Sequence, residues 1–410
     1  MATAATYAYK GRDTEGKLVK GRIDAMTEGA VANRLRTMGI SPLSIQEASG
    51  GTGLQMEINL GSFGSKVKLK DLAVMSRQMA TMITSGLSLL RTLNIITEQT
   101  ESKELKKILV SITREVESGS SLSDAAARHD RVFPPIMISL IRAGETGGFL
   151  DNALLSVAKN FEAEVKLRGT IKSAMTYPVI VFIMAIISVI AMLVFIVPIF
   201  QKMFAGFGAS LPLPTQMLVW LSAQMWWFIP ILLVASIVFS VWWGRNKNTE
   251  RVRKVVDPLK LKLPVFGNLF RKIAIARFSR NFSAMMAAGV PILQVLTIVG
   301  ETSGNWVMEE ALRKVAESVR QGRTVAEPLS HEKVFPAMVT QMVAVGEDAG
   351  ALEQMLAKIA DFYDEEVQSA TESLTASIEP LMIAFLGVVV GGMIVALYLP
   401  IFNIFTLLNK

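Results

Sequence analysis

Gly11, Gly16 and Lys17, in the stretch GRDTEGKL, stand where a phosphate-binding loop of pattern G-x-x-x-x-G-K-[ST] places its two glycines and its lysine. In such a loop backbone N–H groups cradle phosphates, and the closing hydroxyl binds magnesium. Here the closing position is Leu18, which removes that hydroxyl. Asp13 and Glu15 put negative charge where phosphate would sit, and LVKGRIDA continues as a strand instead of opening a helix. The stretch reads as a hairpin turn without a nucleotide. His129 beside Asp130, and His331 beside Glu332, invite a metal reading. Each pair belongs to a different part of the chain, and no His/Asp/Glu spacing resembles a catalytic metal site, so they read as loop residues before Phe-Pro. With two histidines and no cysteine, thiolate metal sites, disulfides and cysteine nucleophiles are excluded. The acidic run Asp361, Asp364, Glu365 and Glu366, partly matched by Glu162 and Glu164, reads as a solvated helical face, with a cation site or a docking patch as its rival. No catalytic residue, metal or cofactor is assigned.

The elements that carry these residues are set by hydropathy. About half the chain is hydrophobic (51%), only 19% is charged, and the mean hydropathy is +0.41, which suggests membrane segments. Pro178–Phe200, Met217–Trp243 and Pro380–Phe402 are each long enough to span a bilayer, which takes roughly 20 helical residues. None carries a charge within its core, so a transporter or pump is disfavoured. Lys159, Lys166, Arg168 and Lys172 precede the first span, and Arg245, Lys247, Arg251, Arg253, Lys254, Lys260 and Lys262 follow the second. Only Lys202 lies between these spans, and only Lys410 follows the third. Positive flanks stay inside, so the N-terminus and both large segments are expected in the cytoplasm and the C-terminus outside. The N-terminus lacks an apolar core behind a basic start, so no cleavable signal is expected. Trp226, Trp227, Trp242 and Trp243 read as interfacial anchors of the second span. The net charge of +7 concentrates beside the bilayer without interleaved aromatics, which points to lipid headgroups and not to nucleic acid.

The chain contains a duplication. HDRVFPPIMISLIRAGETGGFLDNAL, from His129, aligns without a gap on HEKVFPAMVTQMVAVGEDAGALEQML, from His331. Pro178 matches Pro380, Pro198 matches Pro400, and RQMATMITSGLSLL from Arg77 matches RNFSAMMAAGVPIL from Arg280 after a one-residue shift. Leu105, Ile108, Leu109, Ile112 and Val116 keep helical spacing, with Gly119 as a stop. Gly86 and Gly289 break their helices at equivalent places. In the AGETGG and VGEDAG turns, Gly144 and Gly346 are expected to end one helix with positive φ. Gly148 and Gly350 would let the next helix start closely packed, placing Glu145 and Glu347 near its N-terminus. Gly387, Gly391 and Gly392 form a G-x-x-x-G face for packing within the protomer, for self-association or for a partner helix. Pro178 and Pro380 mark the junction of bundle and membrane helix, as hinges or as simple boundaries.

These residues resemble the PilC/GspF family, the inner-membrane platform of type IV pili and type II secretion systems. The resemblance rests on YKGRDTEGKLVKGRIDA…LRTMGISPLSI, both SG/AG…L helices, both segments from Phe133-Pro134 and Phe335-Pro336 through Gly-Glu-x-x-Gly, and the order of the three spans. It implies a non-enzymatic scaffold engaging a hexameric cytoplasmic ATPase, membrane helices that receive pilin or pseudopilin subunits, contacts with other membrane components of the machine, and a homo-oligomer. A secretion or competence platform is the alternative; a membrane transporter or ATPase would need features not found. The expected fold is mainly α: a small α+β module at 1–48, a flexible linker at 49–67, helical bundles of about six helices at 68–172 and 244–372, and transmembrane helices at 173–202, 217–243 and 373–403. A short outer loop at 203–216 and a tail at 404–410 complete it.

Overall fold

The computed structural model describes residues 5–12, 18–25, 27–47, 67–205, 211–264 and 266–408, divided into two compact units, Met1–Gly64 and Ser65–Lys410. In the first unit β1 (Ala5–Arg12), β2 (Leu18–Ala25), α1 (Glu28–Thr37) and β3 (Ser41–Glu47) follow in sequence. The sheet is antiparallel with order β2-β1-β3, and Arg12 pairs with Leu18 at the hairpin end. Thr27 caps α1 by accepting the Ala30 N–H, and Val31 and Leu35 pack with Tyr7 into a small core. Gly11 is buried there; a Cβ on it would stand 2.5 Å from Ile40 Cγ2 and 2.8 Å from the Ser41 carbonyl. Its glycine is thus a packing requirement, and Leu18 opens a strand. Gly16, Lys17 and the stretch 48–66 lie outside the described residues.

The second unit begins with α2 (Leu69–Thr84), α3 (Leu89–Gln99), α4 (Lys103–Glu117), α5 (Leu122–Ala127), α6 (Pro135–Gly147) and α7 (Leu150–Ala191). A π-helical turn (Met192–Ile196), α8 (Val197–Ala205) and α9 (Leu213–Asn246) follow. The remaining helices are α10 (Glu250–Lys262), α11 (Phe266–Ala287), α12 (Ile292–Thr302), α13 (Trp306–Arg320), α14 (Ala326–His331), α15 (Ala337–Asp348) and α16 (Leu352–Leu408). Thus α11–α16 repeat α2–α7. The correspondence reaches the caps: Ser102 accepts the Leu105 N–H at the start of α4, and Asn305 accepts the Val307 N–H at the start of α13. Leu105, Leu109 and Ile112 bury one stripe of α4, as Met308, Leu312 and Val315 do for α13.

The two repeats share one continuous hydrophobic core, running from Leu72 to Tyr363. Their contact is polar at its edge. Asn160 of α7 donates to Asn281 of α11 at 2.8 Å, and Glu164 accepts two bonds from Arg277 at 2.6 and 2.9 Å. Glu164 also takes Arg168 at 2.7 Å, so two guanidinium groups hold one half-buried carboxylate. Within each repeat a matched ion pair ties the first helix to the last: Arg77 to Glu162 and Arg280 to Asp364. The Arg77 guanidinium holds the Glu162 carboxyl below its ordinary range by hydrogen bonding to it.

Three helical runs are long and apolar enough to cross a membrane: Leu150–Phe204, Leu213–Asn246 and Leu352–Phe402. All three carry prolines inside their helices, and toward the C-terminal ends of the first and third these free two carbonyls. Pro198 has no N–H, and Val197 donates five residues back to Met192, which leaves the Leu193 carbonyl without a helical donor. Pro400 likewise leaves the Ala396 carbonyl without one. Both are answered from α9: the Ser222 hydroxyl donates to Leu193 O at 2.6 Å, and the Thr215 hydroxyl donates to Ala396 O. Leu193, Val197, Met393 and Leu397 form the apolar cluster around these bonds. In hydrocarbon an unmade bond finds no water, so Thr215→Val is expected to loosen this end by about 0.6–2 kcal/mol. Its checks are the apparent melting point in detergent and faster amide exchange near Ala396.

Candidate functional site

The paired Gly-Glu turns have a geometry different from the expected one. Gly144 and Gly346 lie inside α6 and α15, and neither has positive φ. The left-handed positions are Gly148 (φ +76°) and Gly350 (φ +65°), just beyond the helices. The earlier glycines serve close approach: a Cβ on Gly346 would stand 3.0 Å from both Leu352 Cα and Met355 Cγ. One on Gly144 would overlap the Ala153 methyl and stand 3.0 Å from Leu150 Cα. The assigned roles of the two glycines in each turn are therefore exchanged. The sequence spacing alone could not tell a helix-ending glycine from one four residues earlier on the packed face.

Glu145 and Glu347 do neutralise a helix N-terminus, but not that of the helix they precede. Glu145 accepts from Leu122 N (2.5 Å) and Ser123 N (3.0 Å), the start of α5. Glu347 accepts from Val325 N (2.8 Å) and Ala326 N (3.1 Å), the start of α14. Free N–H groups and the positive end of the helix dipole both favour a carboxylate there. Each glutamate thereby closes a loop of about twenty residues, from the short helix through the Phe-Pro turn and back along the next helix. Phe133 and Phe335 are buried inside that loop, and Phe335 packs against Phe278 with ring centroids 5.0 Å apart. Pro134 and Pro336 hold the extended backbone that starts α6 and α15. Gly86 and Gly289 have φ of +86° and +67° and end α2 and α11.

The two histidines differ. His331 uses Nδ1 with the Glu327 carbonyl at 2.9 Å, while His129 keeps Nε2 buried without a partner among the described residues. Glu332 pairs with Lys314 at 2.9 Å, raising the lysine pKa through the hydrogen bond. Among the described residues, no three His, Asp, Glu or Cys side chains gather as a metal site requires. Of the acidic run, Asp364 and Glu366 are engaged by Arg280 and Lys272.

In the membrane segment, Pro178 and Pro380 lie within α7 and α16, which continue past them as helix. α16 runs unbroken for 57 residues, about 85 Å at 1.5 Å per residue, so one rod joins bundle and bilayer. Gly387 and Gly391 face open space: a Cβ on either would meet nothing within 4 Å. Nor is the most apolar stretch of α9 covered, with 0% of it buried. Trp226 is 81% exposed, and a groove of about 620 Å³ lined by Val194, Pro198, Ser222, Trp226 and Pro230 opens beside it. Missed in the sequence were Ser222 and Thr215; the matched Pro198 and Pro400 were the signal that partner hydroxyls would be needed.

An internally duplicated helical bundle, each repeat ending in a helix that enters the bilayer, defines a multi-pass helical membrane protein. The family model for type II secretion system protein F matches residues 75–198 and 278–400, once per repeat, and the model for that protein's N-terminal domain matches 1–46. The chain belongs to this family, PilC/GspF, whose members are platform proteins of the inner membrane. It is 42% identical over 402 residues to the type IV pilus assembly protein PilC of Myxococcus xanthus, covering 98% of this chain and 95% of that one. It is 44% identical over 401 residues to the type IV pilus assembly protein PilC of Thermus thermophilus, covering 97% and 98%. The type II secretion system protein F of Vibrio cholerae is 29% identical over 408 residues, 99% of this chain and all (100%) of that one.

Proposed function

We propose that the chain is the inner-membrane platform of a type IV pilus assembly machine, coupling a hexameric cytoplasmic ATPase to insertion or removal of pilin subunits at the filament base. The observation that carries this reading is the uncovered glycine face at Gly387 and Gly391, on the same unbroken helix that begins in the second bundle. A face without side chains lets another helix backbone approach closely, and pilins present an apolar helix to the membrane. ATPase contact with the bundles would move α7 and α16 as rods and lift the docked subunit. The nucleotide belongs to the ATPase, and this chain performs no catalysis. The bundles at 68–172 and 244–372 and the module at 1–48 lie in the cytoplasm, in keeping with the basic flanks, and the short loop and C-terminus lie outside. The relatives named for pilus assembly favour the pilus over the secretion platform, which uses the same mechanics.

The contact between repeats also supports self-association. The positions matching Asn160 and Arg277 are Phe362 and Val74, which are 43% and 48% exposed. A second copy repeating the internal contact would cover them.

Gly387→Leu or Gly391→Leu is expected to abolish filaments while leaving the chain in the membrane, because nothing among the described residues opposes the new side chain. Electron microscopy of surface pili with immunoblotting of membranes checks this; normal piliation would refute the docking role.

A further inference from the structure

We propose that α10 is an interfacial helix that lies along the bilayer surface and docks on anionic phospholipid headgroups. This rests on the three spans crossing the membrane and is independent of the pilus reading.

The position of α10 follows from its two ends. It starts at Glu250, directly after α9 closes at Asn246 with Trp242 and Trp243 in its last turn and a half. It leads into α11, whose Phe266 and Phe270 pack on the same apolar cluster as Met175 and Ile378. Met175 follows Lys172, the last charge before the first span, and Ile378 precedes Glu379, the last before the third. Both ends of α10 therefore sit where spans meet the bilayer surface. A helix of 13 residues, about 20 Å long, must run along that surface to join them.

Its two faces agree. The inward face is polar and used up: Asp257 is buried, accepts the Trp306 N–H at 3.0 Å and pairs with Lys260 at 2.9 Å, while Arg253 pairs with Glu309 at 2.7 Å. The opposite face carries Arg251, Val255, Leu259 and Lys262 at helical spacing. Val255 and Leu259 are 69% and 60% exposed. An aliphatic stripe flanked by Arg and Lys fits the headgroup boundary, where the stripe enters the acyl region and the cations reach the phosphates. A pocket of about 440 Å³ between α9 and α10, lined by Trp243, Lys247, Arg253 and Lys260 with Asp257 and Glu301, adds the cation of Lys247 at the same level. α10 thus anchors the start of the second repeat. It fixes the start of α11 at the bilayer, so that force on the bundles reaches α16 instead of tilting that repeat away.

The chain has no native cysteine, which makes the test direct. Single cysteines replacing Val255, Leu259 and, as a water-facing reference, Lys107 (side chain 74% exposed) are labelled with an environment-sensitive fluorophore. The full chain is then placed in nanodiscs of phosphatidylcholine alone or with phosphatidylglycerol. Labels at 255 and 259 are expected to be quenched several-fold more than the reference by lipid-borne nitroxide, and more strongly with phosphatidylglycerol present. Arg251→Glu with Lys262→Glu is expected to remove that phosphatidylglycerol gain. Quenching no greater than at position 107 would overturn the proposal. So would protection from both lipid-borne and aqueous quenchers, the mark of a second copy or another protein on this face. Equal quenching in both lipids would overturn the anionic preference.

Discussion

Gly346→Val, and its counterpart Gly144→Val, are expected to destabilise the bundles by about 1–3 kcal/mol each, the usual cost of overpacking a well-filled contact. At Gly346 the new Cβ meets Leu352 Cα at 3.0 Å, and at Gly144 it meets Leu150 Cα at the same distance. Both obstacles are backbone, which cannot swing aside, so the α6–α7 and α15–α16 pairs must separate. That opening falls at the root of the two helices that enter the membrane, so filaments are expected to be lost along with stability. Gly169→Ala is the control: it is on α7, its Cβ would meet nothing within 4 Å, and alanine favours helix over glycine by roughly 1 kcal/mol. The check is the apparent melting midpoint in detergent, which should fall for both valine variants and hold or rise for Gly169→Ala. Unchanged midpoints at positions 144 and 346 would contradict the close-packing role.

Glu347→Ala is expected to cost about 1–3 kcal/mol, because the N–H groups of Val325 and Ala326 lose their acceptor in a half-buried site. Glu145→Ala should cost less. Ser121 still accepts from Asp124 N at the start of α5, at 3.1 Å, whereas no side chain caps α14 from its own N-cap position. Glutamine at either position keeps one acceptor and should fall between. Charge reversal at both sites sets a cation against two helix N-termini and is expected to abolish filaments while leaving the chain in the membrane. Amide exchange decides the structural part: protection at 325 and 326 should drop in Glu347→Ala, and more than protection at 122 and 123 does in Glu145→Ala. Equal effects would mean that capping is not what distinguishes the two sites.

The spans, the duplication and the hairpin were legible because each is written in local pattern. An apolar run, a repeated His-x-x-Val-Phe-Pro register and a period-two alternation about Asp13–Gly16 need no tertiary information. The carboxylates were legible only in part. That Glu145 would sit at a helix N-terminus followed from its turn, but the helix it caps begins 23 residues earlier, at Leu122, and such a closure depends on how α5 folds back. The glycines of the same turn were misassigned for the same reason: Gly144 owes its identity to Ala153 and Leu150 across the helix pair, not to its own φ. The shared core of the two repeats was hidden as well, since Asn160 and Asn281 have no mark in sequence before they are brought to 2.8 Å. The glycine face of α16 was visible in sequence, but that nothing among the described residues covers it required the structure.

In the proposed function a filament subunit's membrane helix docks on that face. The direct measurement places a photoreactive amino acid at Val388, 76% exposed beside Gly387, and irradiates cells during pilus assembly. An adduct with the pilin is expected, and it should disappear when Gly391→Leu is added. Adducts formed only with lipid or with a second copy of this chain, in cells making normal pili, would contradict the docking.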